Sequence, residues 1–216
     1  MKSRIFSFLI AGSAILFAAC NNSESSTNST EGVTANPGAN AQDNAGSTAT
    51  TSDDADLTQV KPSFTNVDPK TAASMNEVVN HYLHIKDALA KDNGEEAANA
   101  AKAMVTTLGA IDHSTLAGEQ MKLYMDVAES LTEHAEHTTD NAKNIHHQRE
   151  HFVMMSQDMY DLVKGFGANQ PLYVGHCPMA NDNKGADWLS EKREINNPYM
   201  GQKMPKCGKV EKVVKK

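Results

Sequence analysis

Cys177 and Cys207 are two of the chain's three cysteines, and each has a methionine within three residues, Met179 in "CPM" and Met204 in "MPKC". Thiolate and thioether are soft donors, which select Cu(I) or Ag(I) over zinc, magnesium or calcium. Pro178, Pro198 and Pro205, with Gly175, Gly185, Gly201 and Gly208, fix an irregular backbone around them. His176 adds an imidazole next to Cys177, although adjacent residues rarely point the same way, and Met200 is a spare thioether. The same two cysteines also suit a structural role. In an oxidising exported compartment such a pair forms a disulfide, and a bridge over this loop would stabilise the fold by about 3 to 4 kcal/mol. Spacing alone leaves both readings open.

A second set of donors is nitrogen. His81 and His84 stand three apart, His134 and His137 three apart, and His147 and His151 four apart. On a helix those spacings put both rings on one face, as a two-histidine metal clamp requires. If the third and fourth helices form a hairpin, His134 and His137 near the end of one lie close to His147 and His151 near the start of the next, with Glu133, Glu136 and Glu150 nearby; His137, His147 and His151 are the candidate ligands. Such a site would take Zn(II) or Cu(II). The structural alternative is a solvated, mixed polar helix end.

Other chemistries fail on their own terms. "ANDNKG" lacks oxygen ligands where a calcium loop needs them. "GFGANQ" lacks the last glycine of a dinucleotide turn and follows a helix. No serine sits in a nucleophile elbow, and no CxxCH is present. The expectation is therefore no catalytic residue and no enzyme. A formal charge of −7, with basic residues not gathered into a stripe, argues against nucleic acid as a partner. The lysines of the tail, from Lys203 to Lys216, read as a solvated end.

Helices must position these donors. Asp68 and Pro69 make an N-cap and first helical position, followed by Met75, Val78, Val79, Tyr82, Ile85 and Leu89 at three- and four-residue spacing up to Asn93-Gly94. An alanine-rich helix is expected from Glu95 to about Ile111, a third from about Thr115 to Thr138, and a fourth from about Ala142 to Lys164. Met104, Met121, Met125, Met154, Met155 and Met159 read as core or gap fillers. Short connections predict an all-α fold, an up-down four-helix bundle followed by an irregular Cys/Met/Pro-rich C-terminal segment packed on it.

Ahead of these helices, Lys2 and Arg4 precede an apolar block from Ile5 to Phe17, then Ala18-Ala19-Cys20. The block is too short and too early to span a bilayer and reads as an export signal, residues 1–20, with Cys20 as a lipidated cysteine of lipobox type. Residues 21–66 are rich in Ser, Thr, Asn, Ala, Gly and Asp and read as a disordered acidic tether. The remaining 67–216, about 150 residues, are enough for one domain with its own core.

"YVGHCPMANDNKGADWLS" followed by "INNPYMGQKMPKCG", with "YLHIKDALAKDN", "AEH" and "HQREHFVMMS" upstream, resembles the domain of unknown function 3347 family over about Met75 to Val210. That family occurs as bacterial lipoproteins and as C-terminal modules of periplasmic adaptor subunits in copper and silver efflux pumps. The resemblance implies a helical heavy-metal domain with Cys177, Met179, Met204 and Cys207 as donors, and Trp188 and Tyr199 as residues that dock the late segment. The family tends to have an aromatic at Met200, so that methionine is not counted as a ligand.

The expected protein is an envelope lipoprotein, anchored to the outer or inner membrane and facing the periplasm. It would bind copper as Cu(I), or silver or zinc, for buffering, resistance or hand-over to an efflux pump or metallochaperone. The alternatives are a non-catalytic interaction module with a Cys177–Cys207 disulfide, and Zn(II) or Cu(II) binding by the helix histidines.

Overall fold

The computed structural model describes residues 54–116 and 118–215. Cys20, the signal segment and residues 21–53 of the expected tether lie outside the described residues.

Four long helices follow the predicted punctuation. Asp68 caps α1 (Pro69–Ala90) by accepting from the backbone N–H groups of Lys70 and Thr71, two donors that the first helical turn would otherwise leave unpaired. Asn93 caps α2 (Gly94–Gly109) through the N–H of Glu96. A short 3-10 turn, His113–Thr115, leads into α3 (Glu119–Asp140), and Asn144 opens α4 (Ile145–Phe166) by accepting from the N–H of His147. Consecutive helices pack on one another, and α1 also meets α4. Tyr82, Ile85, Leu89, Met104, Leu131, Phe152, Met155 and Met159 are fully buried between them. Each contributes about 1.5 to 3 kcal/mol of transfer free energy. Among the described residues no helix is long and apolar enough to cross a membrane.

The molecule is mostly helical but not all-α. The expected irregular segment instead contributes three strands, β2 (Leu172–Cys177), β3 (Ala186–Ser190) and β4 (Lys209–Val214), to a sheet of order β1-β4-β2-β3 whose fourth strand is β1 (Thr58–Val60). β2 runs antiparallel to both β3 and β4, while β1 lies parallel to β4. The lysine-rich tail thus enters the sheet as an inner strand. Its pattern is Lys209, Val210, Glu211, Lys212, Val213, Val214, and Val213 and Val214 are buried. The lysines hid a strand because a charged residue can occupy a sheet face turned to water.

β1 moves the domain boundary, since part of the 21–66 tether belongs to the fold. Leu57 is buried, the N–H groups of Ser63 and Phe64 donate to the carbonyls of Lys164 and Gly165, and Phe64 meets Phe166 edge-on at 5.1 Å. Backbone pairing, which composition does not reveal, holds this polar stretch.

Buried hydroxyls tie sheet to helices. Tyr199 Oη donates to the Asp187 carbonyl at 2.5 Å and lies 3.1 Å from Ser156 Oγ; Tyr82 Oη is 2.8 Å from the same oxygen and accepts from the Leu189 N–H at 3.0 Å. Burial pushes both phenols up from their ordinary values, so they remain neutral donors. Trp188 packs across Tyr199 at 6.0 Å. Two turns earlier on the same face of α4, Arg149 Nε donates to the Pro198 carbonyl at 2.7 Å.

Candidate metal centre

The α3–α4 hairpin closes through side chains. Gln148 is fully buried and donates to the carbonyls of Thr138 and Gly94, both at 2.9 Å; Asn141 donates to the His137 carbonyl at 2.8 Å. Further along, Ser130 on α3 donates to Asp158 on α4 at 2.6 Å. Between these two ties the helices face each other with histidine.

His151 sits in the middle of that face. Its Nδ1 lies 3.0 Å from Nδ1 of His134, and its Nε2 lies 3.1 Å from Nε2 of His147. His147 Nδ1 is in turn 3.0 Å from a Glu150 carboxylate oxygen. A carboxylate accepts, so His147 presents Nδ1–H to Glu150 and leaves Nε2 as a lone pair. When His151 donates Nδ1–H to His134, its Nε2 is likewise a lone pair, and the two Nε2 atoms face each other. In the other tautomer His134 donates to Nδ1 of His151 and His151 Nε2–H donates to Nε2 of His147, so a cation held between the two Nε2 atoms would displace that proton.

The third donor is His137, whose ring lies flat on His151 with centroids 4.3 Å apart and planes 4° apart. Donor atoms of His137, His147 and His151 all fall within 4.8 Å of one another. Among the described residues this is the group of histidine, cysteine and carboxylate side chains that could hold an ion with three donors. Two Zn–N bonds of about 2.0 Å at a tetrahedral angle span about 3.3 Å. The Nε2 pair is near that spacing already, whereas the His137 ring must rotate out of its stack to aim a lone pair inward. Burial, and then the neighbouring rings of His137, His147 and His134, pull the His151 pKa down from 6.5 to about 4. His151 is therefore neutral, the form that binds metal.

The sulfur donors are gathered only in part. In the β2–β4 register His176 opposes Lys209, so Cys177 extends past that pair toward Gly208 and Cys207. Their Sγ atoms lie 3.0 Å apart, both free thiols, Cys177 buried and Cys207 half-buried. The shared hydrogen bond with Cys177, then burial, raises the pKa of the Cys207 thiol. Asn197 clamps the loop by donating to the Cys207 carbonyl at 2.6 Å. Gly208, at φ 124°, leaves no room for a side chain, since a Cβ would stand 2.6 Å from the His176 carbonyl oxygen.

The other expected sulfur-site residues are placed elsewhere or left outside. His176 alternates to the opposite face of β2, where Nδ1 meets Asp187 at 2.6 Å. Met179 is 44% exposed and lines a cleft of about 550 Å³ with His146, Glu150 and Met200, and Met204 is half-buried after a turn in which Cys207 N–H donates to its carbonyl. His81 and His84 pair with Glu77 and Glu96. Two of the methionines read as core, Met125 and Met154, are exposed. Sequence reasoning paired His134 with His137 but did not count it at the site; its spacing to His137 was the available signal.

No curated protein and no solved structure matches this chain. A family model does match, over residues 78–171, which run from within α1 past the end of α4 to the start of β2 and hold all four clustered histidines, while Cys177 and Cys207 lie beyond it. The matching model is that of the family described as "Protein of unknown function (DUF3347)", the family whose motifs the sequence resembles.

Proposed function

We propose that the protein captures a transition-metal ion, copper or zinc, at His137, His147 and His151, and holds it without catalysing a reaction. The observation carrying this reading is the convergence of three imidazole donors within 4.8 Å, two of them with their second nitrogens already engaged. Imidazole suits zinc and copper, and an outer partner on the far ring nitrogen raises ligand basicity. The site would sit near one end of an up-down four-helix bundle, between two helices stiff enough to preserve its geometry.

Titration of the full chain with Zn(II) and Cu(II) tests the reading. One equivalent should bind tightly and be lost in His137→Ala and His151→Ala while surviving Cys177→Ser/Cys207→Ser. Equal affinity in the histidine variants would overturn it.

A second reading, a soft site for Cu(I) or Ag(I) at Cys177 and Cys207, is favoured by their 3.0 Å approach. It predicts that either Cys→Ser change abolishes tight Cu(I) binding at that pair. The leader ending at Cys20 and the resemblance to efflux-associated modules support an envelope location, a lipid anchor, and hand-over of the ion to an efflux partner. Two sites of different softness on one small domain suit acceptance and release.

A further inference from the structure

The large apolar side chains left exposed among the described residues are all methionines: Met125, Met154 and Met179. No leucine, isoleucine, phenylalanine or valine among the described residues is exposed to that degree, although several, such as Val105, Leu123 and Ile145, are half-buried. Met154 stands out by position. It follows His151 by three residues and His147 by seven on α4. At about 100° per residue those three side chains project within a sector of about 60°, so Met154 lies on the histidine face, at its solvent rim.

Direction matters as much as register. Side chains on a helix lean toward its N-terminus, so Met154 covers the turn that carries Glu150 and His151. Residues three and four apart bring their Cβ atoms to about 5 to 6 Å, a gap that a flexible thioether crosses easily. Glu150, the other candidate for a fourth donor, is already engaged with Nδ1 of His147 at 3.0 Å and Nδ1 of His146 at 3.4 Å. Its role is to orient a ligand ring. On the α3 side, His134 is committed to His151. The uncommitted donor one turn along the same face of α4 is the Met154 thioether.

We infer that Met154 is the fourth donor of the histidine cluster and that the completed three-imidazole, one-thioether set takes copper in preference to zinc. The inference rests on the reading of His137, His147 and His151 as a metal site. A thioether adds little to Zn(II), which three imidazoles and a water already satisfy, but is a favourable ligand for Cu(I). An exposed position also suits exchange, because an incoming donor can displace the thioether from the solvent side while the imidazoles hold the ion.

X-ray absorption at the copper edge tests this on the full chain carrying Cys20→Ser, Cys177→Ser and Cys207→Ser, loaded anaerobically with one equivalent of Cu(I). Sulfur in the copper shell can then come only from methionine. The expected result is one sulfur scatterer, absent after Met154→Leu, with Cu(I) affinity reduced about tenfold and Zn(II) affinity unchanged. A sulfur scatterer that persists in Met154→Leu, or none in the parent, overturns the inference. In the same background, His151→Ala separates this failure from that of the underlying reading: loss of both ions upholds the cluster, and retention of both removes it together with the role of Met154.

Discussion

His134 on α3 and His151 on α4 meet nitrogen to nitrogen, Nδ1 to Nδ1, at 3.0 Å. The contact holds the His151 ring with Nδ1 toward His134 and Nε2 toward His147. Replacing His134 with alanine should therefore weaken metal binding about 10- to 100-fold without removing any ligand. His134→Gln, whose amide can still accept from His151, should restore part of it. Competition against a chromophoric chelator measures both.

The depressed pKa of His151 makes a prediction for the metal-free protein. In the folded state this imidazole stays neutral down to about 4, whereas unfolded it takes a proton near 6.5. The unfolded state thus binds more protons inside that window, and stability falls as pH drops from about 6.5 toward about 4. Urea midpoints measured across the window should show this decline, and His151→Gln should flatten it. An identical slope in the variant would mean that other groups set the pH dependence.

Cys177 and Cys207 need little movement to join. Mild oxidation of the dilute protein should remove both thiols without forming dimers and raise stability by about 3 to 4 kcal/mol on the chain-entropy view of a loop this long. Ag(I) added first should protect both thiols. Mixed disulfides or cross-linked dimers as the main product would show that the pair does not meet in solution.

Tyr199 anchors the late segment through its hydroxyl, shared with Ser156 and the Asp187 carbonyl. Tyr199→Phe leaves those buried partners short of a donor and should lower stability by about 1 to 3 kcal/mol. Metal affinity at the α3–α4 hairpin should be unchanged, because that hairpin is held by its own contacts. Chemical denaturation followed by metal titration checks both halves.

The helical half of this protein was legible in its sequence. Asp68-Pro69 and Asn93-Gly94 act within one helical turn, and the apolar residues of α1 and α4 repeat at three and four, so these helices are specified by neighbours along the chain. The meeting of His134 and His137 with His147 and His151 was legible for the same reason: only Asn141–Asn144 separates the helices, so their ends must stay together.

The sheet was not legible, because its information is distant. β1 is three residues long and pairs with a strand at the other end of the domain, and a register shift between Val174 and Gly175 breaks the alternation that would mark β2. Composition placed Thr58–Val60 in a tether and β4 in a lysine tail. Cys177 and Cys207 are 30 residues apart, and no local rule brings them together. The sequence by itself determined the donor types and the helical faces, through periodicity and capping. The tertiary structure alone decided that the cysteines meet, that His176 pairs with Asp187, and that Met154 and Met179 stay exposed. Those outcomes depend on strand register and on which helix face is covered, and both are settled by contacts between residues far apart in the chain.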